Sequence, residues 1–564
     1  MALTLNPGFV LILAAIAVLA APRGARALAM AGAALLALWL LLDHEFGAAS
    51  AMRQMGLPVV LLNLDALNRI FGIAMLIALI VVALYSSARR SRSEDAAILL
   101  LAGGAVSALF VGDLISFVAA AALAGLAAAW IAFASPAPGA SNAGARLLIW
   151  HGLEGLLFLF GAAFHLAAHQ DSSVFTRIDP GSIGGAFLLA AVLIRVGAPF
   201  AHVWLKDAIS HASPSGGVAL SAFSTMVGVY ALARMFPAEP LLVPVGAAMI
   251  VVGAFYAAAE DDMRRAGAYG LMSQTGVCVA LIGIGSPLAM GAAEAHAFAI
   301  TFAFMALQMT FGAIVERRGD ASIARAQGLA RSMPVTAWLL IAAGLAVSAV
   351  PGLALYASHA VALEAAAQWE TRWLWALMSG ASAVVFVSLA LRPTLSVFRG
   401  GGETGATRNE APFPMLLGAA LAAFFCVSVG LAPRWLYDLM PAELSFAPFA
   451  PDRVAGRLET LGFAGLAFVL LHLAERRTAP APVRLLDIDA LYRGPLTAAG
   501  RWAGVLLLRG YGAWQVFSAR LAAGSTRTLG QLAARFDRPY AARLGGALQL
   551  LSAAGVLLVM LLVR

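Results

Sequence analysis

The residues best suited to chemistry lie in one stretch, 195–234, where arginine, histidine, lysine and aspartate interrupt an otherwise apolar sequence. This stretch contains Lys206, the single lysine of the chain. Ionisable side chains at membrane depth cost roughly 2.5–3.5 kcal/mol each on insertion scales. They persist where they pair, line a wet cavity or move charge. The stretch therefore predicts either a path for protons or ions or a buried ion pair.

Arg195 is the central residue of this stretch, because it follows the apolar run FLLAAVLI and requires a partner or water. Pro199 lies four residues later and lacks a backbone donor, which predicts a break in the helix. Irregular backbone at membrane depth is tolerated where it is buried in protein or lines a cavity. The alternative for Arg195 is a structural ion pair.

Eight ionisable residues form the candidate proton or ion path. They are Arg195, His202, Lys206, Asp207, His296, His359, Glu154 and His151. His202 and Lys206 are spaced i,i+4, so a helix places them on one face. Lys206 and Asp207 are equally compatible with side chains that extend to the membrane surface.

The other candidates carry similar alternatives. His151 and Glu154 are spaced i,i+3 and predict either a buried pair or residues near the interface. Glu294 and His296 lie near a predicted helix start, where a local cap is the simpler interpretation. His359 follows Pro351-Gly352, a predicted helix break.

Other chemistry is not predicted. Cys278 and Cys426 are isolated, so no iron–sulfur or structural zinc site is expected. The chain has no GxGxxG or P-loop pattern, and we expect no cofactor, no metal and no catalytic site of its own. The net charge of +8 is spread over loops, which fits membrane orientation and lipid contact rather than nucleic acid.

The elements that must position these residues are transmembrane helices. The chain is 62% hydrophobic and 12% charged, with a mean hydropathy of +0.87. It is therefore predicted to be an all-α polytopic membrane protein. Predicted spans are 7–22, 26–43, 68–88, 96–111, 113–134, 146–168, 183–205, 215–236, 241–259, 265–286, 291–314, 334–355, 370–392, 412–432, 454–474 and 543–563.

Arginine-rich loops alternate along the chain, and the positive-inside rule places them in the cytoplasm. The N-terminus is then predicted outside, with the first apolar segment a span rather than a cleaved signal peptide. Four regions are expected: N-terminal helices (1–95), a helical core (96–392), C-terminal helices (393–475) and a final region (476–564). Within the final region, 497–540 is predicted as an amphipathic interfacial segment or as a helical hairpin outside the membrane.

Several stretches together resemble the antiporter-like proteins shared by multisubunit sodium/proton antiporters and respiratory NADH–quinone oxidoreductase. They are 195–234, VGDLISFVAAAALAGLAAAW (111–130), EDDMRRAGAYGLMSQTGV (260–277), MPVTAWLLIAAGLAVSAVPGLALYASH (333–359) and 411–441. The last stretch and LDIDALYR (486–493) resemble the D-type branch of the antiporter proteins. The similarity covers roughly residues 90–495.

This resemblance implies about 14 core transmembrane helices, with two five-helix inverted repeats near 96–236 and 241–392, each containing a broken helix. It implies proton or Na⁺ translocation, other membrane subunits of a hetero-oligomeric complex and lipid as partners, and a bacterial inner membrane. Any electron transfer would belong to other subunits.

The chain departs from the family where the family carries charge. The resemblance aligns Ala122 with a glutamate, and it aligns Arg195, Met226, Phe304 and His359 with lysines. Arginine stays protonated throughout the physiological pH range, and alanine, methionine and phenylalanine do not titrate. Three hypotheses follow: a subunit that conducts by another route, a non-conducting structural or coupling subunit, or an unrelated transporter or membrane enzyme.

Overall fold

The computed structural model describes residues 5–54, 57–89, 91–169, 174–369, 372–399, 409–441, 446–475, 488, 490, 494–495 and 497–533. The chain divides into two compact units, Met1–Pro482 and Val483–Arg564. The described residues are mostly helical, with one β-hairpin.

The first unit holds all but one of the named elements. It begins with α1 (Pro7–Ala20), α2 (Arg26–Asp43), β1 (Gly47–Gln54), β2 (Leu57–Leu64), α3 (Ala66–Ser86), α4 (Arg92–Phe110), α5 (Leu114–Phe133) and α6 (Ala140–Ala168). It continues with α7 (Ile183–Arg195), α8 (Val203–His211), α9 (Pro214–Phe223), α10 (Met226–Met235), α11 (Leu242–Ala259), α12 (Met263–Ile284) and α13 (Pro287–Arg318). It ends with α14 (Leu329–Ser332), α15 (Pro334–Val347), α16 (Ala354–Gln368), α17 (Trp373–Val385), a π-helical segment (Phe386–Leu391), α18 (Arg392–Phe398), α19 (Phe413–Leu431), α20 (Arg434–Tyr437) and α21 (Pro451–Glu475).

The helices confirm a multi-pass membrane protein. Within the described part of the chain, 12 helices are long and apolar enough to cross a membrane, and α1, α7 and α15 are shorter apolar helices. Each predicted span before residue 475 overlaps one of these helices, although 183–205 and 334–355 also run through the breaks after α7 and α15. The predicted span 543–563 lies outside the described residues. The core is formed by α9–α10, α12 and α13, whose apolar windows are the most completely buried.

The segment between α2 and α3, which lies between the predicted spans 26–43 and 68–88, forms strands rather than a helix or an irregular loop. It forms an antiparallel hairpin in which Gly47 pairs with Leu64 and Gln54 with Leu57. The run 57–64 is short and contains adjacent valines, which favour extended backbone, but short apolar runs do not distinguish a strand from a helix. Asp113, the N-cap of α5, accepts a hydrogen bond from the Val60 amide at 2.9 Å and anchors the hairpin.

Two helices are broken where the sequence predicted. The first half α7 ends at Arg195 and α8 begins at Val203, with positive φ at Gly197 and Phe200 in between. The second break separates α15 from α16 and has positive φ at Ala349 and Gly352. Each break contains a proline, which cannot donate to the helical ladder.

The broken helices occupy equivalent places in two successive helix series. The first series runs α4, α5, α6, broken α7–α8 and α9–α10. The second runs α11, α12, α13, broken α15–α16 and α17–α18, with the four-residue α14 before the break. This shared order is consistent with repeats near 96–236 and 241–392, whose boundaries remain a prediction.

The second unit contains α22 (Thr497–Ala533). Because it is one continuous helix, the helical-hairpin alternative is wrong over these residues. Its position at the membrane interface remains a prediction, and residues 534–540 of the predicted segment lie outside the described part of the chain.

Glycines allow α11 and α12 to pack with their backbones close together. A Cβ built on Gly253 would meet the Ser273 amide nitrogen and the Tyr269 carbonyl oxygen at 2.6 Å each. Backbone atoms cannot move aside as the end of a flexible side chain can, so this position requires glycine. Close approach through small residues is the usual packing mode of membrane helices.

We predict that Gly253→Ala lowers stability by about 1–3 kcal/mol, because the added methyl overpacks the α11–α12 contact. Gly380→Ala in α17 is the matched control, since a Cβ there meets nothing within 4 Å. The control should be neutral or more stable by about 0.5–1 kcal/mol, as expected for alanine in a helix. Thermal unfolding of the two purified variants in detergent measures the contrast, and equal melting temperatures would contradict it.

Candidate ion path

A buried cluster of three ionisable side chains joins α6 to the end of α7. Arg195 Nε lies 2.5 Å from Glu154 Oε1, and both side chains are at most 2% exposed. Glu154 Oε2 lies 2.7 Å from His151 Nδ1, so one carboxylate serves both neighbours. Arg195 Nη2 also donates to the Ala121 carbonyl of α5 at 2.7 Å. Arg195 therefore forms the buried ion pair that was one of its two interpretations, and His151 contacts the same carboxylate.

The break after α7 positions this cluster. Trp204 in the first turn of α8 donates its indole N–H to the Ile194 carbonyl at 2.9 Å, which ties the two half-helices together. The ring of Trp204 packs edge-on against His151 with centroids 4.9 Å apart. Gly228 of α10 leaves room for Arg195, because a Cβ there would lie 2.9 Å from Arg195 Cγ.

The second half-helix α8 places three further candidates inside the protein. His202, Lys206 and Asp207 are between 1% and 7% exposed. Asp207 Oδ2 accepts from Arg146 Nε of α6 at 2.7 Å. The alternative that Lys206 and Asp207 extend to the membrane surface is therefore wrong, since neighbouring helices cover both residues.

A second cluster lies at the other break. His296 of α13 has Nδ1 3.0 Å from Ser358 Oγ and Nε2 3.1 Å from Gln274 Oε1. The His296 and His359 rings are 6.2 Å apart between centroids. The predicted local cap is wrong for His296, because Ser286 caps α13 and His296 lies fully buried between α12 and α16.

Helix α12 connects the two breaks. Tyr269 faces α8, with its ring centroid 6.0 Å from Lys206 Nζ and 6.0 Å from the centroid of the His202 ring. Gln274, five residues later, contacts His296. At 1.5 Å rise per residue, Tyr269 and Gln274 are separated by about 7.5 Å along the helix axis. Helix α12 therefore presents one polar side chain to the residues at the first break and another to His296 at the second.

Comparison with known proteins agrees with this architecture. Residues 111–385, which contain both breaks, match the family described as "NADH:quinone oxidoreductase/Mrp antiporter, TM". Through this region the chain is similar to that family. The matched family region excludes α21 and the second unit.

Individual relatives include both branches of the family. The chain is 28% identical over 363 residues to the L subunit of NADH-quinone oxidoreductase from Mycobacterium tuberculosis, covering 60% of this chain and 56% of that protein. It is 30% identical over 178 residues to a probable K⁺/H⁺ antiporter protein (the A/B subunit) of Rhizobium meliloti, covering 30% of this chain and 18% of that protein. The chain thus spans about half the length of the first relative and less than a fifth of the second.

Solved structures show the same fold. A chain of the Mrp complex from Dietzia sp. superposes with a TM-score of 0.73 at 22% identity, covering 93% of this chain and 62% of that one. A chain of respiratory complex I from Thermus thermophilus gives a TM-score of 0.67 at 21% identity, covering 82% and 98%. At these identities the likeness establishes the membrane fold alone.

The matched region has a carboxylate beside Arg195 although Ala122 stands where the resemblance implies a glutamate. Glu154 supplies this carboxylate from α6 rather than from α5. The resemblance also aligns two buried apolar side chains, Met226 and Phe304, with lysines. The acid beside the first break is therefore on a different helix from the one that the resemblance implies.

Sequence reasoning missed several members of the site. The missed members are polar residues in largely apolar helices: Tyr269, Gln274 and Ser358. A polar residue inside an apolar segment was the signal in the sequence that could have identified them. Glu294 was assigned to a helix cap but is 4% exposed, next to Met226. Arg264 is only 4% exposed and donates to carbonyls that include Ala212 and Ser213, so the arginine is buried rather than solvated.

We predict that Glu154→Gln lowers the free energy of unfolding by about 3–5 kcal/mol, because it leaves the Arg195 guanidinium buried without its counter-charge. The double variant Glu154→Gln/Arg195→Gln should lose less than the single variant, since no uncompensated charge remains. Thermal and denaturant unfolding of both variants in detergent tests this order. A double variant less stable than the single one would contradict it.

Proposed function

We propose that this chain is a membrane subunit of a multisubunit cation/proton antiporter or complex I-like assembly in a bacterial inner membrane, and that it takes part in proton or Na⁺ translocation. Other membrane subunits of that assembly and lipid are its partners. The observation that carries the proposal is the buried Arg195–Glu154–His151 cluster at a helix break. Ionisable side chains in a membrane helix cost free energy, so they persist where they are paired or take part in function.

The cluster contains one side chain with a permanent charge and another whose charge can change. Arginine does not release its proton under physiological conditions, so Arg195 supplies a constant positive charge. A histidine side chain can gain and lose a proton, and His151 shares the carboxylate of Glu154 with Arg195. A proton arriving at His151 strengthens its contact with Glu154 and weakens the hold of Glu154 on Arg195. The proton state of His151 is thereby coupled to the end of α7.

The proposed route continues through α8 and α12 to the second break. His202 and Lys206 lie beside Tyr269, and Gln274 leads to His296. Gaps of several ångströms along this row require bridging waters. His359 is the last titratable group of the row, on the second half-helix after the break.

The second candidate function is a non-conducting structural or coupling role in the same kind of assembly. It is favoured by two buried apolar side chains, Met226 and Phe304, at positions where the resemblance places lysines. In this alternative the Arg195–Glu154 pair only fixes the position of α7 against α6.

Transport by the intact parent complex in inverted vesicles distinguishes the two functions. For the double variant Glu154→Gln/Arg195→Gln and for His151→Asn, we expect proton or Na⁺ flux to fall about a hundredfold or more, the usual contribution of a positioned proton-transfer group. Normal subunit composition must accompany this loss. The matched control is Arg434→Gln, because the Arg434 side chain is 93% exposed and pairs loosely with Asp438 at 4.0 Å.

Unchanged flux in both site variants, with normal assembly, would reject conduction through this chain and favour the structural function. Loss of flux in Arg434→Gln as well would show that the assay responds to any lost arginine.

A further inference from the structure

An arginine outside the matched family region contacts the second helix break. Arg457 lies on α21, beyond the matched residues 111–385, and is 6% exposed. Its Nε donates to the Ala349 carbonyl at 3.0 Å and its Nη2 to the Ser348 carbonyl at 2.5 Å. Nη2 also donates to Ser382 Oγ of α17 at 2.6 Å. One guanidinium therefore joins α15, α17 and α21.

The two carbonyls bound by Arg457 directly follow α15, which ends at Val347. Ser348 is the C-cap residue, and Ala349 adopts a positive φ of 49°. A helix C-terminus carries partial negative charge, which favours a cation there. Buried carbonyls without a donor are costly, and no water is available from lipid. Arg457 thus provides both the hydrogen bonds and the charge that the broken end requires.

Arg457 forms no ion pair within the described part of the chain. All three of its acceptors there are neutral, and Nη1 has no hydrogen-bond partner among the described residues. A buried arginine held only by neutral groups costs more free energy than a surface arginine. Its burial at the break is therefore better explained by a requirement of the break than by the general stability of α21.

Arg457 also lies beside the candidate path. It lines, together with His359, a cavity of about 480 Å³ between α16, α17 and α21. His359 sits on α16, whose first residue, Ala354, follows the break. Any change in the direction of the break therefore moves His359. Arg457 binds the first two residues of the connection that leads from α15 to α16.

We propose that Arg457 is a positioning residue, a buried cation that holds the α15–α16 break and, with it, His359, from a helix outside the matched family region. The role in transport rests on the proposed function. The hold on the break itself does not, so the two can fail separately.

Arg457→Met tests the proposal against Arg453→Met in the intact parent complex. Both arginines lie on α21 one turn apart and line the same cavity. Within the described part of the chain, the polar contacts of Arg453 are with Glu364 at 3.1 Å and the Ala447 carbonyl at 2.9 Å, not with the break. Arg457→Met should speed amide hydrogen exchange across residues 347–353 by roughly tenfold or more, because the break loses its donors. Arg453→Met should leave exchange there unchanged, and Arg457→Lys should restore most of the protection, since an ammonium also suits a helix C-terminus.

Flux in the same vesicles provides the second readout. We expect Arg457→Met to lose flux and Arg457→Lys to recover it. Exchange across 347–353 that is equal in wild type and Arg457→Met, or equally fast in Arg453→Met, overturns the proposal. If Arg457→Met does not assemble, Arg457→Lys decides: retained protection supports the proposal and lost protection overturns it.

The two proposals fail in different ways. Faster exchange in Arg457→Met with unchanged flux in all site variants retains the hold on the break and rejects conduction. Flux that depends on Glu154 and His151, with exchange unaffected by Arg457→Met, rejects the hold on the break and retains conduction.

Discussion

The membrane interior allows a charge to remain only where a counter-charge or a full set of hydrogen bonds meets it, and this constraint organises both halves of the structure. In the first half Arg195 is met by Glu154 and by the Ala121 carbonyl. In the second half Arg457 is met by the carbonyls at the end of α15. Both arginines lie at a broken helix. Arg195 is the last residue of α7, and Arg457 binds backbone carbonyls that the break after α15 exposes.

Broken helices require their neighbours to approach closely. Gly228 makes room for Arg195, and Gly430 of α19 packs against the second break, where a Cβ would overlap the Gly352 carbonyl oxygen. Packing of this kind leaves little freedom for either break to change shape alone. Motion at one break would therefore be expected to involve α12, which contacts polar groups at both.

Much of the fold follows from the sequence, because long apolar segments separated by arginine-bearing loops have one physical solution in a membrane. Pro199 and Pro351 correctly located the breaks for the same reason, since proline removes a backbone donor. The hairpin at 47–64 was missed because eight-residue apolar runs carry no decisive periodicity. The sequence named the ionisable candidates of the site but neither their connections nor the uncharged polar residues between them. Spacing along a helix indicated His151 with Glu154, whereas the contacts of Arg195, Gln274 and Arg457 join residues distant in sequence.

The position of the carboxylate affects how this chain is compared with the proteins it resembles. The resemblance aligns Ala122 of α5 with a glutamate, whereas the acid that meets Arg195 is Glu154 of α6. A comparison of single aligned positions counts a lost acid, although an acid still lies beside the arginine in three dimensions. If either helix can supply this acid, relatives with a small residue at position 122 should carry an acid at position 154, and grouping relatives by these two positions together would group them by chemistry.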